Sequence, residues 1–466
     1  MTLSFILAFP LAAALAVLLL PAASARRVAI SVALLDMFLV AVGWQSQAPD
    51  ETYRWIPALG ISWSLSLDGL SALMAGLTAL LTAVALGASG PRTERLSEFC
   101  GWLLLLLAFL QGVFLAANLG LFYLFWELMI LPAFLLVGRW GGPGGRSAAF
   151  KFLLYTLLGS LAMLLALVLL AFTSSEPDLS YAALAARTFP PALGVSLLTL
   201  FVLGFAVKIP LVPLHGWQVD AYEAAPAPVA VVLAGAMSKA GLYGLWRVSH
   251  TFFPEALAEL LPVLGTLALL SLLYGTICAL GQTRTRRVLA YSSLAHTGMM
   301  TLGIVSVQGM ALQGAGLQML AHGLTTGGLF ILLGCLEDRA LPRDMDQLGG
   351  LARPMPIFGL ALLVFSMAAL GLPALCSFPG ELMILTGLFQ VNPGWALLAC
   401  LSLVGAAWYL LRFYQRIANG EKASLSTVSD LNWREQACLV PLLVLVVWMG
   451  LKPSDWQTLL NVWGGQ

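Results

Sequence analysis

Seven ionisable side chains stand inside apolar runs of this chain, and their types suit proton transfer. Glu127 lies in "LFYLFWELMILP", Lys151 in "SAAFKFLLY", Lys208 in "GFAVKIPLVPLHGW", Lys239 in "LAGAMSKAGLYG" and Glu381 in "SFPGELMIL". His296 in "AYSSLAHTGMM" and His322 in "LQMLAHGLTTGG" are two of the four histidines in the sequence. A charge near the centre of a bilayer helix costs about 2.5–3.5 kcal/mol on insertion scales, so it calls for a partner, water or a purpose. A lysine stripped of water holds its proton less tightly, and a nearby carboxylate restores the grip. Moving or neutralising that carboxylate therefore switches the lysine between holding and releasing a proton. Histidine suits the stations between, because its ordinary pKa lies near neutrality. For any one residue a static ion pair or a snorkelling side chain competes with this reading, for Lys151 above all, which sits close to a predicted helix start. The set of seven favours a relay.

The elements that must hold these residues are membrane helices. The chain has 466 residues, is 60% hydrophobic and only 10% charged, and its mean hydropathy is +0.91. A soluble protein of this size needs more polar surface than that. Apolar runs of roughly 20 residues, the length that crosses a bilayer, recur from end to end. Alternating barrel-type strands are missing from the pattern, so the expected class is an all-α polytopic membrane protein. Hydropathy predicts about fourteen spans, near 4–20, 27–44, 69–89, 99–117, 119–137, 149–172, 194–217, 228–249, 258–280, 287–307, 310–334, 356–387, 394–415 and 434–452. The first reads as a span rather than a signal peptide, since no Lys or Arg precedes it. With the N-terminus outside, sixteen Lys and Arg fall in cytoplasmic loops and four (Arg54, Arg187, Arg247, Lys452) outside. The sixteen include Arg92, Arg286 and Lys422. Both termini are expected on the non-cytoplasmic side.

Two spans share an unusual construction. Segment 194–217 carries Lys208 with Pro210 and Pro213, and segment 356–387 carries Glu381 with Pro373 and Pro379. Proline removes a backbone donor and collides with the preceding turn, so breaks are expected near 208–213 and 373–380. The two lie five spans apart, which gives matching repeats opposite orientations. Paired broken helices in corresponding positions point to an ion site in inverted-repeat transporters. Irregular backbone at this depth survives only against protein or a water-filled cavity. Asp36, in "LLDMFLV", has no evident partner and reads as structural, and Asp68, in "LSLDGLSALM", reads as a helix N-cap.

Other chemistries find no footing. The six cysteines are scattered without CxxC pairs and read as small buried hydrophobes. The histidines are too far apart for an HExxH site, no metal site is expected, and no basic tract suggests nucleic acid.

The longer motifs resemble a family. "FYLFWELMILPAFLLVGRWGG", "FAVKIPLVPLHGW", "LAYSSLAHTGMMTLGI", "QMLAHGLTTGGLFILLG" and "LGLPALCSFPGELMIL" are similar, in the same order, to the antiporter-like membrane subunits of respiratory complex I, and most of all to its M, or chain 4, type. "RWIPALGISWSLSLDGLSALM" fits as well, so the likeness covers nearly the whole chain. The resemblance implies a fourteen-helix core with two inverted five-helix repeats. Its divisions would be helices 1–3 in 1–98, the repeats in 99–249 and 258–415, and a last helix and tail in 434–466. It also implies a Glu127–Lys208 pair in the first half-channel, Lys239 as central lysine, His296 and His322 along the axis, and Glu381 at the terminal position. Glutamate there marks the M type, whereas paralogues usually carry lysine. Lys151, His215 and Tyr222 are auxiliary candidates. No cofactor is expected on this chain; NADH, flavin, iron–sulfur clusters and quinone would belong to partner subunits, in a bacterial inner membrane. One stretch departs: where the family has "WLPDAH" and "EAPTAGSV", this chain reads "WQVDAY" and "EAAPAPVAVV" at 217–232. Tyr222 thus replaces a histidine at the cytoplasmic mouth. The departure leaves room for a paralogue in a cation/proton antiporter, a membrane-bound hydrogenase or an inorganic-carbon uptake complex.

Overall fold

The structure, a computed structural model, describes residues 2–90, 93–173, 177–420 and 428–461. Its helices are α1 Leu3–Val17, α2 Ala22–Gln45, α3 Gly69–Ala88, α4 Leu96–Leu115, α5 Leu119–Leu128, α6 Ile130–Trp140, α7 Gly145–Phe172, α8 Tyr181–Ala185, α9 Pro191–Lys208 and α10 Gly216–Ala224. They continue as α11 Ala227–Val232, α12 Ser238–Phe252, α13 Pro254–Leu280, α14 Thr285–Val305, α15 Gly309–Asp338, α16 Pro356–Ala369, α17 Ser377–Val391, α18 Pro393–Ala418, α19 Trp433–Leu451 and α20 Ser454–Asn461. Among the described residues, twelve spans are long and apolar enough to cross a membrane, with α5–α6 and α11–α12 each counted as one. The chain is a polytopic helical membrane protein. The other two expected spans begin with shorter apolar helices, α1 and α16.

Burial sorts the bundle into centre and rim. The span Ala227–Phe252 is wholly enclosed, and Thr285–Val305 and Gly309–Asp338 nearly so. Helix α15 packs against α3, α11, α14, α16, α17 and α19, which makes it the hub. By contrast α7 and α18 turn Leu154, Leu158, Leu401, Val404 and Trp408 outward. In a bilayer those faces need no protein cover, because lipid tails are as apolar as leucine.

One element departs from the all-helical expectation. Residues Glu51–Ile56 (β1) pair antiparallel with Ile61–Leu65 (β2), across a turn that ends at Gly60 with φ +69°. Glu51 accepts from the backbone N–H and hydroxyl of Ser4, and Trp63 Nε1 donates to the same hydroxyl, so the hairpin is tied to the start of α1. "ISWSL" alternates as a strand does, and the tyrosine, tryptophan and isoleucine of "ETYRWI" suit a strand by type.

Arg286, counted in a cytoplasmic loop, and Arg247, counted on the outer side, are both buried. Arg286 lies in the first turn of α14 and makes a double hydrogen bond to Glu337, at 2.6 and 2.7 Å. Arg247 lies within α12, paired with Asp68 and bonded to the Ser71 hydroxyl at 3.0 Å. Each offsets its burial by ion pairing, which hydropathy does not register. Arg92 and Lys422 lie outside the described residues. Asp68 caps α3, accepting from Ser71 N at 2.9 Å. Asp36 does have a partner: Gln111 Nε2 donates to it at 2.6 Å.

Candidate functional site

Four spans are interrupted where the ionisable residues sit, and each interruption has a local cause. Helix α9 ends at Lys208 and α10 starts at Gly216, with Pro210 and Pro213 between. Helix α16 ends at Ala369 and α17 starts at Ser377, with Gly371 and Ala374 at φ +81° and +74°. The second break therefore falls before the expected end: Pro379 and Gly380 belong to the first turn of α17, where a missing N–H costs no helical bond. Both breaks close alike. Leu211 N donates to Ala206 O and Leu214 N to Leu211 O, while Leu372 N donates to Met367 O and Leu375 N to Leu372 O. In the first break Trp217 Nε1 also takes up the freed Val207 carbonyl, at 2.8 Å.

The other two interruptions escaped sequence reading. Between α5 and α6, Pro132 cannot donate to the Leu128 carbonyl, and Glu127 lies in the last turn before that point. Between α11 and α12, residues Leu233–Met237 form a π turn. Such a wider turn frees carbonyls for side chains. Ala234 O accepts from Lys239 Nζ at 2.6 Å and from Ser238 Oγ at 2.8 Å, and Leu233 O accepts from the Tyr222 hydroxyl at 3.3 Å. A small-residue run, "LAGAMSKAG", is the sequence signal at this point.

From Lys239 a row of groups leads to Glu381. Lys239 Nζ is 2.5 Å from His322 Nδ1. The His322 and His296 rings stand 5.5 Å apart between centroids. His296 Nδ1 is 3.8 Å from Glu381 Oε1, and Gln318 Nε2 donates to that same oxygen at 3.1 Å. All five side chains are buried. Gln318 lies one turn before His322 on α15 and was not singled out by its type. Gly371 makes room for Glu381: a Cβ there would meet Glu381 Oε2 at 2.1 Å.

The first half is arranged differently. Lys208 Nζ is buried and has no hydrogen-bond partner among the described residues. It sits over the faces of Trp126 and Phe152, 5.1 and 5.6 Å from the ring centroids, an arrangement favourable to a cation. Glu127 Oε1 is likewise buried without a partner, so the two groups are neighbours in an electrostatic sense and not a bonded pair. Lys151 pairs with Asp220 at 2.7 Å, both about 40% exposed, which sets it apart from the buried row. His215 precedes the first turn of α10 with its ring against Tyr274. Tyr222 is fully buried rather than at a mouth, and the Gln218, Ser238 and Ser293 side chains surround its hydroxyl. Ser238 Oγ in turn lies 3.4 Å from Lys239 Nζ.

Among the described residues no group of three or more His, Cys, Asp or Glu is placed to hold a metal ion. What the arrangement offers is proton transfer: donors and acceptors that change charge, aligned in a low-dielectric interior between two helix breaks.

These features define a class, polytopic membrane proteins with paired broken helices and buried titratable side chains. Residues 116–405 match the family described as NADH:quinone oxidoreductase/Mrp antiporter, TM, and the chain belongs to that family. It is 38% identical to NAD(P)H-quinone oxidoreductase chain 4 1 of Synechococcus sp. (strain JA-3-3Ab), over 97% of this chain and 90% of that one. It is also 38% identical to NADH-quinone oxidoreductase subunit M of Rhodobacter capsulatus, over 87% of this chain and 81% of that one. A chain of respiratory complex I from Thermus thermophilus superposes with a TM-score of 0.91 at 30% identity, covering 100% of both. A chain of the Mrp complex from Dietzia sp. DQ12-45-1b has a TM-score of 0.88 at 24% identity, over 99% of this chain and 51% of that one, a likeness of fold alone.

Proposed function

We propose that the chain is the antiporter-like, proton-translocating subunit of an NADH:quinone oxidoreductase, of the M or chain 4 type. It moves protons through Glu127, Lys208, Lys239, His322, His296 and Glu381 and holds no redox centre. NADH, flavin, iron–sulfur clusters and quinone belong to partner subunits of the same membrane complex, and neighbouring antiporter-like subunits complete the membrane arm. The observation that carries this reading is the buried row Lys239–His322–His296–Glu381, which starts at a π turn and ends beside a helix break.

In this reading the chain has fourteen spans, with inverted five-helix repeats in 99–249 and 258–415. The matching hydrogen bonds at the two breaks support the repeats. Both termini lie on the non-cytoplasmic side of a bacterial inner membrane. A proton taken up beside Glu127 passes to Lys208, whose bare amine accepts it over two aromatic faces. Release from Lys208 lets Lys239 take up a proton, and the Lys239 ammonium then gives it to His322 Nδ1 and returns to the neutral amine. The opposite nitrogens of the two imidazoles relay the proton toward Glu381.

The test is made on the complex purified through this chain. Flavin- and iron–sulfur-bearing peripheral subunits should co-purify, and the complex in proteoliposomes should acidify the lumen when NADH is oxidised by quinone. Purification with cation/proton antiporter subunits alone, or NADH oxidation without acidification, would overturn the proposal.

A further inference from the structure

A groove of about 250 Å³ lies where α6 ends and α7 begins. Arg139 and Arg146 line it, and the rest of its lining is apolar. Its floor is a close approach of the two helices, where a Cβ on Gly138 would meet the Ala149 Cβ at 3.2 Å. Phe134 and Phe150 stand edge to face at 5.4 Å, and Phe150 is 57% exposed, so the groove opens outward and not into the bundle. Each helix sets its arginine above an apolar stripe. On α7, Arg146 comes four residues before Phe150, and exposed Leu154, Leu158, Leu161 and Leu165 continue the line to Phe172. At helical rise Phe150 to Phe172 is about 33 Å, the thickness of a bilayer's hydrocarbon core. On α6, Arg139 follows Leu135 and the exposed Leu131 at the same spacing. The charge at this rim is positive. Arg95 and Arg139 share one carboxylate, Glu98, at 3.5 and 2.8 Å. Arg146 is exposed and has no partner among the described residues. Lys151, beside the stripe, is already paired with Asp220.

We propose that this groove binds an anionic phospholipid, its phosphate between Arg146 and Arg139 and one acyl chain over Phe134 and Phe150 and along the α7 stripe. Charge at one end and hydrocarbon for the rest is the form of an amphiphile, and the groove repeats that division over the depth of the membrane. A guanidinium presents its N–H groups as a planar fork, which matches two oxygens of a phosphate. Basic pockets between membrane helices hold anionic headgroups for the same reason. A zwitterionic lipid would bring its own ammonium to a rim where three guanidiniums face one carboxylate, so the net charge favours an anion. A groove of this volume admits a single hydrocarbon chain, whereas a helix from another subunit is about 10 Å across with its side chains. Such a helix would cover the stripe and leave the Arg146 charge unanswered. The site stands apart from the ionisable row and does not rest on the proton-transfer reading.

The experiment reconstitutes the complex in phosphatidylcholine vesicles doped with phosphatidylglycerol or, in parallel, phosphatidylethanolamine, each carrying the same diazirine in its acyl chain. After illumination, mass spectrometry maps the adducts. At the peptide carrying Phe150 and Leu154, phosphatidylglycerol should label about tenfold more than phosphatidylethanolamine. At the outward-facing Leu401 and Val404 of α18 the two should label alike. Arg146→Gln should lower the phosphatidylglycerol signal at Phe150 about fivefold and leave that at Leu401 unchanged. Raising the salt should weaken the preference in the unaltered complex, which keeps the test decisive if Arg146→Gln does not assemble. Equal labelling by the two lipids at Phe150 would overturn the proposal, as would a preference that neither Arg146→Gln nor salt reduces. Suppression of the labelling by millimolar inorganic phosphate would mark a site for the free anion, and cross-linking of the Phe150 peptide to another subunit a protein interface. Either result would also overturn it.

Discussion

His322 Nδ1 lies 2.5 Å from Lys239 Nζ, while His322 Nε2 is buried with no hydrogen-bond partner among the described residues. One nitrogen is thus committed to the central lysine, and the other belongs to an imidazole whose ring lies 5.5 Å from that of His296, tilted by 57°. An imidazole so placed can accept on one side and donate on the other. His322→Ala should lower NADH-driven proton translocation by about a hundredfold, the low end of what a positioned acid–base group contributes. The complex should still assemble, as judged by native gel electrophoresis. Translocation at the original rate in fully assembled His322→Ala complex would remove His322 from the path.

Glu381 depends on a glycine ten residues earlier, within the break between α16 and α17. At Gly371 φ is +81°, and an added Cβ would meet Glu381 Oε2 at 2.1 Å. Gly371→Ala should therefore displace the carboxylate from Gln318 and His296 and cost about 1–3 kcal/mol in strain. Gly420→Ala is the control, with φ +101° and nothing within 4 Å of the Cβ. Thermal unfolding should fall in both variants, but translocation should fall only in Gly371→Ala. Equal translocation in the two would mean that the position of Glu381 is unimportant.

The legible part of this site was its charge, and the hidden part was its backbone. Lys208, Lys239, His296, His322 and Glu381 announce themselves because an ionisable type in an oily run violates composition, and the prolines at 210 and 213 mark a break by the same logic. The π turn at Leu233–Met237 carries no proline, and its small-residue run, "LAGAMSKAG", is a signal that ordinary helix also shows. Gln318 looks like any uncharged polar residue until α15 turns it to Glu381. Arg247, at the outer end of the expected span 228–249, gives no sign in the sequence of its burial, because its partner Asp68 lies 179 positions away. The hairpin at 51–65 stays hidden because its first strand does not alternate buried and exposed residues, and both strands are short beside spans of membrane length.

The Asp68–Arg247 pair makes a stability prediction with a defined pH sense. Burial alone would raise the Asp68 carboxyl, but the Arg247 charge and the hydrogen bonds from Arg247 and Ser71 outweigh it, and the net shift is downward. A carboxylate held below its unfolded value stabilises the fold above that value, roughly pH 4, and loses the contribution as pH falls through the folded value. Asp68→Ala should cost about 3 kcal/mol at pH 7, because it removes the charged partner of a buried guanidinium. The gap from wild type in thermal unfolding should narrow on acidification below about pH 4. Replacing both residues, as Asp68→Ala with Arg247→Met, should cost less than the sum of the single changes. A gap that widens in acid would show that the pair does not stabilise the fold in this way.

Tyr222 is where this chain has a phenol in the position that the family motif fills with histidine. Its hydroxyl donates to Leu233 O, which also accepts the Ser238 backbone N–H of the π turn, and Gln218, Ser238 and Ser293 surround it. Ser238 Oγ continues to Lys239 Nζ at 3.4 Å. A hydroxyl can pass a proton by accepting one and donating another, without storing charge as an imidazole does. Tyr222→Phe should cost about 1 kcal/mol for the lost hydrogen bond and slow translocation, since the hydroxyl contact with Ser238 is cut. Tyr222→His should recover the rate, because imidazole again supplies a donor and an acceptor. The two variants separate packing from proton transfer: both keep an aromatic ring, but only histidine restores the polar link. If Tyr222→Phe loses stability yet translocates at the wild-type rate, the hydroxyl is a carbonyl partner alone, and recharging of Lys239 must run from the Lys208 side without it.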